Sequence, residues 1–130
     1  AEEAYADIEP AVYAAPGMTT VGGPREQVSA LVEKLEGEGI SVEVLDLRTL
    51  VPLDRDAILE SVGRTGRLVV VDEDYQSFGL TGEIIATVAE QGVQLKAPPK
   101  RVAMPDSPIP YAHVLEYAVL PRHERIEAAD

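Results

Sequence analysis

Four apolar residues running straight into three carboxylates constrain this chain more than any other feature. Leu68, Val69, Val70 and Val71 are followed by Asp72, Glu73 and Asp74, and then by the segment YQSFGLTGE, in which Gly79 and Gly82 flank the start of an amphipathic helix. An apolar run that emerges from a glycine-punctuated turn (Gly63 to Arg67) reads as a strand covered on both faces, the habit of parallel sheets. The acids then mark a loop at the carboxyl end of that strand. Ile84, Ile85 and Val88 form the buried stripe of a helix packed back on the sheet. In open α/β sheets, sites collect at this edge.

The rest of the chain repeats the alternation. Ala11 to Ala15 reads as a first strand, stopped by Pro16 and Gly17, with a connection running on to Pro24. Pro24 opens a helix at the position where its missing N–H is harmless, and Val28, Leu31, Val32 and Leu35 line one face of it. Gly37 and Gly39 end that helix. Val42, Val44 and Leu47 alternate with Glu43 and Asp46 in a second strand. Asp54 caps the next helix, which buries Ile58, Leu59 and Val62, and Leu53 and Ile58 have hydrophobic-staple spacing. Thr81 caps the third helix, and Glu83 favours the positive end of its dipole. A last strand covers Arg101 to Met104. Prolines 105, 108 and 110 then keep the chain irregular, Tyr111 to Leu120 makes a short helical piece, and Arg122 to Ala129 begins a final helix. Strands alternating with helices predict the α/β class: a three-layer α/β/α sandwich, with an all-parallel sheet as the default.

At 130 residues the chain suits one domain. Residues 11–130 form its body and the acidic residues 1–10 an arm or interdomain linker, as a fragment of a longer protein would carry. The net charge of −12 argues against nucleic acid and against an anionic membrane surface. A basic protein is the natural complement. No apolar run approaches the roughly 20 residues that span a bilayer. The first residues lack the basic and apolar regions of a signal peptide. With no cysteine, disulfides and thiolate chemistry are excluded, and a cytoplasmic location is expected.

Each candidate for chemistry has a competing structural explanation. Asp72, Glu73 and Asp74 have the oxygen chemistry that magnesium favours. A phospho-receiver site would also need an acidic pair after the first strand and a lysine after the last, and the chain has neither, so solvated strand-end charges are the better reading. The Gly79 to Gly82 turn could present free N–H groups to an anion, but it has no phosphate-loop spacing and three carboxylates stand next to it. Glycines that let helix and sheet approach closely explain it better. His123 sits in a charged surface cluster. His113, after Tyr111 and near Glu116, is the stronger acid–base candidate. No nucleophile elbow or triad context occurs. The domain shows no catalytic constellation, and Asp72, Glu73, Asp74, Tyr111, His113 and Glu116 stand as surface or interface candidates. A free-standing regulatory, small-ligand or magnesium-binding α/β module remains the alternative.

Several segments in order resemble a known family: VEVLDLRTLVPLD (42–54), GRLVVVDE (66–73), FGLTGEIIA (78–86), APPKRVA (97–103) and PDSPIPY (105–111), with Leu115–Glu116 and Leu120–Pro121. Together they look like the carboxyl-terminal domain of a thiamine-diphosphate-dependent 2-oxo acid dehydrogenase E1 component, beta subunit, of the transketolase superfamily. The resemblance covers roughly Val42 to Pro121. It implies a mostly parallel mixed sheet whose first strand is antiparallel to the rest. It also implies a non-catalytic assembly domain in a pyruvate, branched-chain or acetoin dehydrogenase. The implied partners are an E1 alpha subunit, a second E1 beta subunit and the peripheral subunit-binding domain of an E2 acyltransferase. Thiamine diphosphate and magnesium would lie outside this chain, in the full E1, and no cofactor-binding or catalytic residue carries over. Two departures leave the substrate class open: the Pro16 to Pro24 connection, and Asp72 to Tyr75 where many relatives have His-Glu. Lys96, Lys100 and Arg101 make a basic spot where part of an E2 contact is expected, so no E2-contact residue is assigned.

Overall fold

The structure is a computed structural model that describes residues 12–15, 18–21, 32–122, 124, 125 and 128. Among these, the strands are β1 (Val12–Ala15), β2 (Met18–Val21), β3 (Glu43–Leu45), β4 (Val69–Tyr75) and β5 (Lys100–Met104). The helices are α1, described over residues 32–37, α2 (Arg55–Thr65), α3 (Leu80–Glu90) and α4 (His113–Val119).

Among the described residues the strands form two ladders, β2-β1-β3 and β4-β5, and β4 shows why the second ladder lies between two layers of helices. Leu68 and Val70 pack with Ile58 and Val62 of α2 and with Ile84 and Val88 of α3. Val69 and Val71 pack with Leu35 of α1 and Val102 of β5. Successive strand residues point to opposite faces, so a continuous apolar run needs cover on both. Each such side chain contributes about 1.5–3 kcal/mol when fully buried, which places most of the cohesion around this one strand.

β4 pairs in parallel with β5, Val69 opposite Lys100 and Val71 opposite Val102. β1 runs antiparallel to β2 and to β3, and β2 lies beside β4. The all-parallel default is therefore incorrect for the first strand, and the antiparallel first strand implied by the resemblance is present. β2 is a second correction, because Met18–Val21 falls in the stretch read as a connection. Thr19, Thr20 and Val21 are β-branched and favour a strand.

Of the helix expected from Pro24, residues 22–31 lie outside the described residues. Residues 32–37 are helical, with Leu35 buried. β3 is shorter than its alternation predicts, and Val44 is exposed, while Leu45 and Leu47 reach the core. Glu43, read as an outward residue, is held by the guanidinium of Arg64 on α2. Asp54 does cap α2, its Oδ1 accepting from the Ala57 N–H at 3.0 Å, and Leu53 packs on the core with Ile58. α2 ends at Gly66 (φ 73°), where the Gly66 N–H reaches the Val62 carbonyl.

Thr81 does not cap α3. The cap position is Gly79, two residues earlier, with the helix starting at Leu80, and the Thr81 side chain is buried with its hydroxyl lacking a hydrogen-bond partner. α4 lies within the segment expected to be helical but buries none of its residues. Residues 124 and 125 are helical, and the remainder of the final helix expected beyond Arg122 falls largely outside the described residues.

Candidate functional site

The three acids are not in a loop. They belong to β4, at a break in its ladder: Val71 faces Val102 and Tyr75 faces Met104, so Asp72, Glu73 and Asp74 oppose Ala103 alone. Bulges of this kind bend a strand and re-aim its side chains, and they gather at sheet edges and sites. Glu73 and Asp74 are exposed, but Asp72 is half-buried. Burial pushes the Asp72 carboxyl above the usual carboxylate range; backbone N–H groups of Glu73 and Asp74 oppose the shift, and the Asp74 charge adds to it.

Asp74 turns toward the start of α3. Its Oδ1 accepts from the Tyr75 N–H at 2.7 Å, and its Oδ2 lies 3.4 Å from where a Cβ on Gly79 would stand. A carboxylate of the chain itself thus lies near the start of α3 without capping it, and its charge opposes an external anion there. Gly79 is needed for a different reason: a Cβ there would overlap the Tyr75 carbonyl oxygen. The close approach expected for these glycines is real at Gly79. Gly82 has open space around it.

A second loop, leaving β5, meets the first. Gln76 N–H donates to the Met104 carbonyl at 2.9 Å. Ser77 gives Asp106 two bonds, from its N–H at 3.1 Å and its hydroxyl at 2.5 Å. Arg101 donates to the Gln76 carbonyl at 2.7 Å. The Ser77 hydroxyl, then the Ser77 N–H and the Arg101 charge, hold the Asp106 carboxyl below its ordinary range. Between the loops lies an open depression of about 710 Å3 lined by Tyr75, Ser77, Phe78, Asp106, Ser107 and Pro108. Phe78 adopts a left-handed backbone (φ 62°), and its side chain is fully exposed.

Beyond this depression the chain stays apolar and uncovered. Tyr111 is fully exposed, Ile109 is 54% exposed, and α4 offers Val114 and Leu115 to solvent. His113 opens α4. Its ring lies parallel to that of Tyr117 at 6.3 Å, and the Arg122 guanidinium stands 4.6 Å from the Tyr117 ring centre. The geometry therefore engages His113 in a stack, not in a pair with Glu116, which is exposed. Arg125 ties this region down. It donates to the carbonyls of Val119 at 3.0 Å, Leu120 at 3.4 Å and Ala103 at 2.7 Å.

The structure thus brings both groups of candidates to one edge but assembles no acid–base pair from them. Among the described residues, no group of three or more His, Asp or Glu could hold a metal ion. Sequence reasoning missed Ser77, Phe78 and Asp106. The signal available was the single phenylalanine of the chain, standing in a turn where burial gives no reason for it. Lys96 lays its stem over Gly66 and donates to the Thr65 carbonyl at 3.3 Å, while Lys100 and Arg101 are successive strand residues that point to opposite faces.

Residues 18–126 match the family of the transketolase C-terminal domain. The chain belongs to that family. This transketolase C-terminal domain is 48% identical over 98 residues to the pyruvate dehydrogenase E1 component subunit beta-1, mitochondrial, of Arabidopsis thaliana (75% of this chain, 27% of that protein). It is 41% identical over 99 residues to the 2-oxoisovalerate dehydrogenase subunit beta of Bacillus subtilis (75% and 30%), and 38% identical over 108 residues to the pyruvate dehydrogenase E1 component subunit beta of the same species (82% and 33%). The chain therefore spans a third or less of the length of these relatives. A solved structure titled split gene transketolase, inactive beta4 tetramer, shares the fold of this transketolase C-terminal domain, with a TM-score of 0.64 over 80% of this chain and 33% of that chain, at 24% identity.

Proposed function

We propose that this transketolase C-terminal domain is the carboxyl-terminal assembly part of an E1 beta subunit in a thiamine-diphosphate-dependent 2-oxo acid dehydrogenase. In this reading it pairs beta subunits and recruits an E2 acyltransferase while the chemistry is done elsewhere in the E1. The observation that carries the reading is the identity of 38–48% to E1 beta subunits named for pyruvate and 2-oxoisovalerate. Residues 11–130 are taken as the domain and residues 1–10 as its arm. The partners follow from the same reading: an E1 alpha subunit, a second beta subunit and the peripheral subunit-binding domain of E2. No described helix is long and apolar enough to cross a membrane, and we place the protein in the cytoplasm, although one relative is named as mitochondrial.

The residues present do not fit thiamine diphosphate. Asp72, Glu73, Asp74 and Asp106 make the carboxyl edge anionic, and the Asp74 carboxylate lies near Gly79, so a diphosphate would meet repulsion there. No step is derived through that cofactor. The chain is expected neither to bind thiamine diphosphate with magnesium nor to decarboxylate 2-oxo acids. Titration calorimetry that found micromolar affinity would overturn this. In the positive direction, the full-length subunit should elute with its alpha counterpart as one complex, and a deletion of residues 11–130 should abolish beta–beta pairing.

A further inference from the structure

We infer that Arg125 is a latch that closes the open edge of β5, and that its release frees that edge while the core around β4 stays folded. Among the described residues β5 pairs with β4 alone, so its other side is an edge. The ladder itself fixes which groups lie on that side. The Lys100 N–H donates to the Leu68 carbonyl, and the Met104 carbonyl accepts from the Gln76 N–H. Backbone groups of alternate strand residues point the same way within a sheet, so Lys100, Val102 and Met104 face β4 and its loop. Arg101 and Ala103 face outward. An outward row of unpaired N–H and C=O groups is a template for another strand, and native folds cover it.

Arg125 supplies part of that cover with a side chain. Its guanidinium donates to the outward Ala103 carbonyl at 2.7 Å, and to the Val119 and Leu120 carbonyls at 3.0 and 3.4 Å. The last two belong to the end of α4, where the final carbonyls of a helix lack partners and a positive charge is favoured. One planar fork of donors therefore joins a strand edge to a helix end. The chain has 23 Asp and Glu against 11 Lys and Arg, yet among the described residues Arg125 pairs with no carboxylate. Its neighbour Arg122 does pair, with Glu124.

Little else holds the cover in place. Residues 111–118 are exposed, Val119 and Leu120 are partly buried, and among the described residues from 111 to 125 only Pro121 is buried. The strand beneath is held differently. Val102, Ala103 and Met104 are buried, and Val102 packs with Val69 and Val71 of β4. A cover attached by polar bonds thus lies on a strand attached by apolar packing. Elements with few buried apolar contacts open first, and they do so in cooperative units. Loss of the Arg125 fork opens residues 111–120 together with the outer side of β5 and leaves β4 closed.

Amide hydrogen exchange followed by NMR on the full chain tests the latch. In the wild type, the amides of residues 116–120 should exchange through an opening that depends less on denaturant than that of β4. Arg125→Met keeps the stem and removes the donors. It should speed exchange of residues 116–120 and of Ala103 by about tenfold or more, with β4 and α3 changed by less than about twofold. Arg125→Lys, which keeps the charge without the planar fork, should fall between the two. Arg55→Met, which breaks the exposed pair with Glu83, should leave all of these rates within about twofold of wild type. Three results overturn the inference: unchanged exchange of residues 116–120 in Arg125→Met, an equal acceleration in β4 and α3, or a wild-type denaturant dependence of residues 116–120 equal to that of β4. The last is read on the wild type alone, so it decides the matter even if Arg125→Met does not fold.

Discussion

α3 and α4 each follow a strand of the same parallel pair, and each is entered through a loop at the same edge. α3 buries Thr81, Ile84, Thr87 and Val88, whereas α4 buries nothing. The first is held by apolar area against β4. The second is held at its carboxyl end by polar ties, mainly the three carbonyl bonds of Arg125. A seven-residue helix has little stability of its own in water. The contrast separates residues kept for folding from residues available to a partner: aliphatic and enclosed around β4, aromatic and open at the edge.

The largest effect should come from emptying the enclosed side. Ile84→Ala, at a fully buried position, is expected to lower the unfolding free energy in denaturant titrations by about 2–5 kcal/mol. Leu115→Ala on α4 should change it by less than about 0.5 kcal/mol. Equal losses at the two sites would erase the distinction between the helices. Next comes the join between the regions. Gly79→Ala forces a Cβ onto the Tyr75 carbonyl and should cost about 1–3 kcal/mol, read as a fall in melting temperature. Gly82→Ala, with open space around it, should be neutral or stabilising because alanine is the better helix former.

Smaller effects sharpen the account of helix starts. Asp54→Ala removes the cap of α2 and should cost about 1 kcal/mol. Thr81→Val should cost nothing or stabilise, since it replaces a buried hydroxyl that has no partner. A matching loss at Thr81 would mean that its hydroxyl is bonded in solution.

The smallest effect is pH-linked. The Asp72 pKa is raised in the fold, so the folded state binds a proton more readily than the unfolded chain. Its contribution is fully present below the ordinary aspartate value of 3.8 and is lost as pH rises through the folded pKa. Asp72→Asn should therefore stabilise the domain at neutral pH, with the gain shrinking to nothing in acid. Melting curves across that window would expose the wrong sign at once.

Much of this molecule was written in the order of its residues. The double-sided burial of β4 follows from an unbroken apolar run, the Asp54 cap from its place before a helical stripe, and the family from a set of segments in fixed order. These are local or ordered signals, and a single chain displays them. The ladder break at Asp72 to Asp74, the β2 pairing and the Ser77–Asp106 clamp are different. Each depends on which residue of a distant segment comes to stand opposite, and spacing along the chain does not encode that. Phe78 makes the point most sharply. By type it belongs in a core, and only the packed strands and the loop from β5 place it outside. Sequence alone determined what must be buried; tertiary structure decided which apolar residues were left over, because the space around β4 is filled by aliphatic side chains.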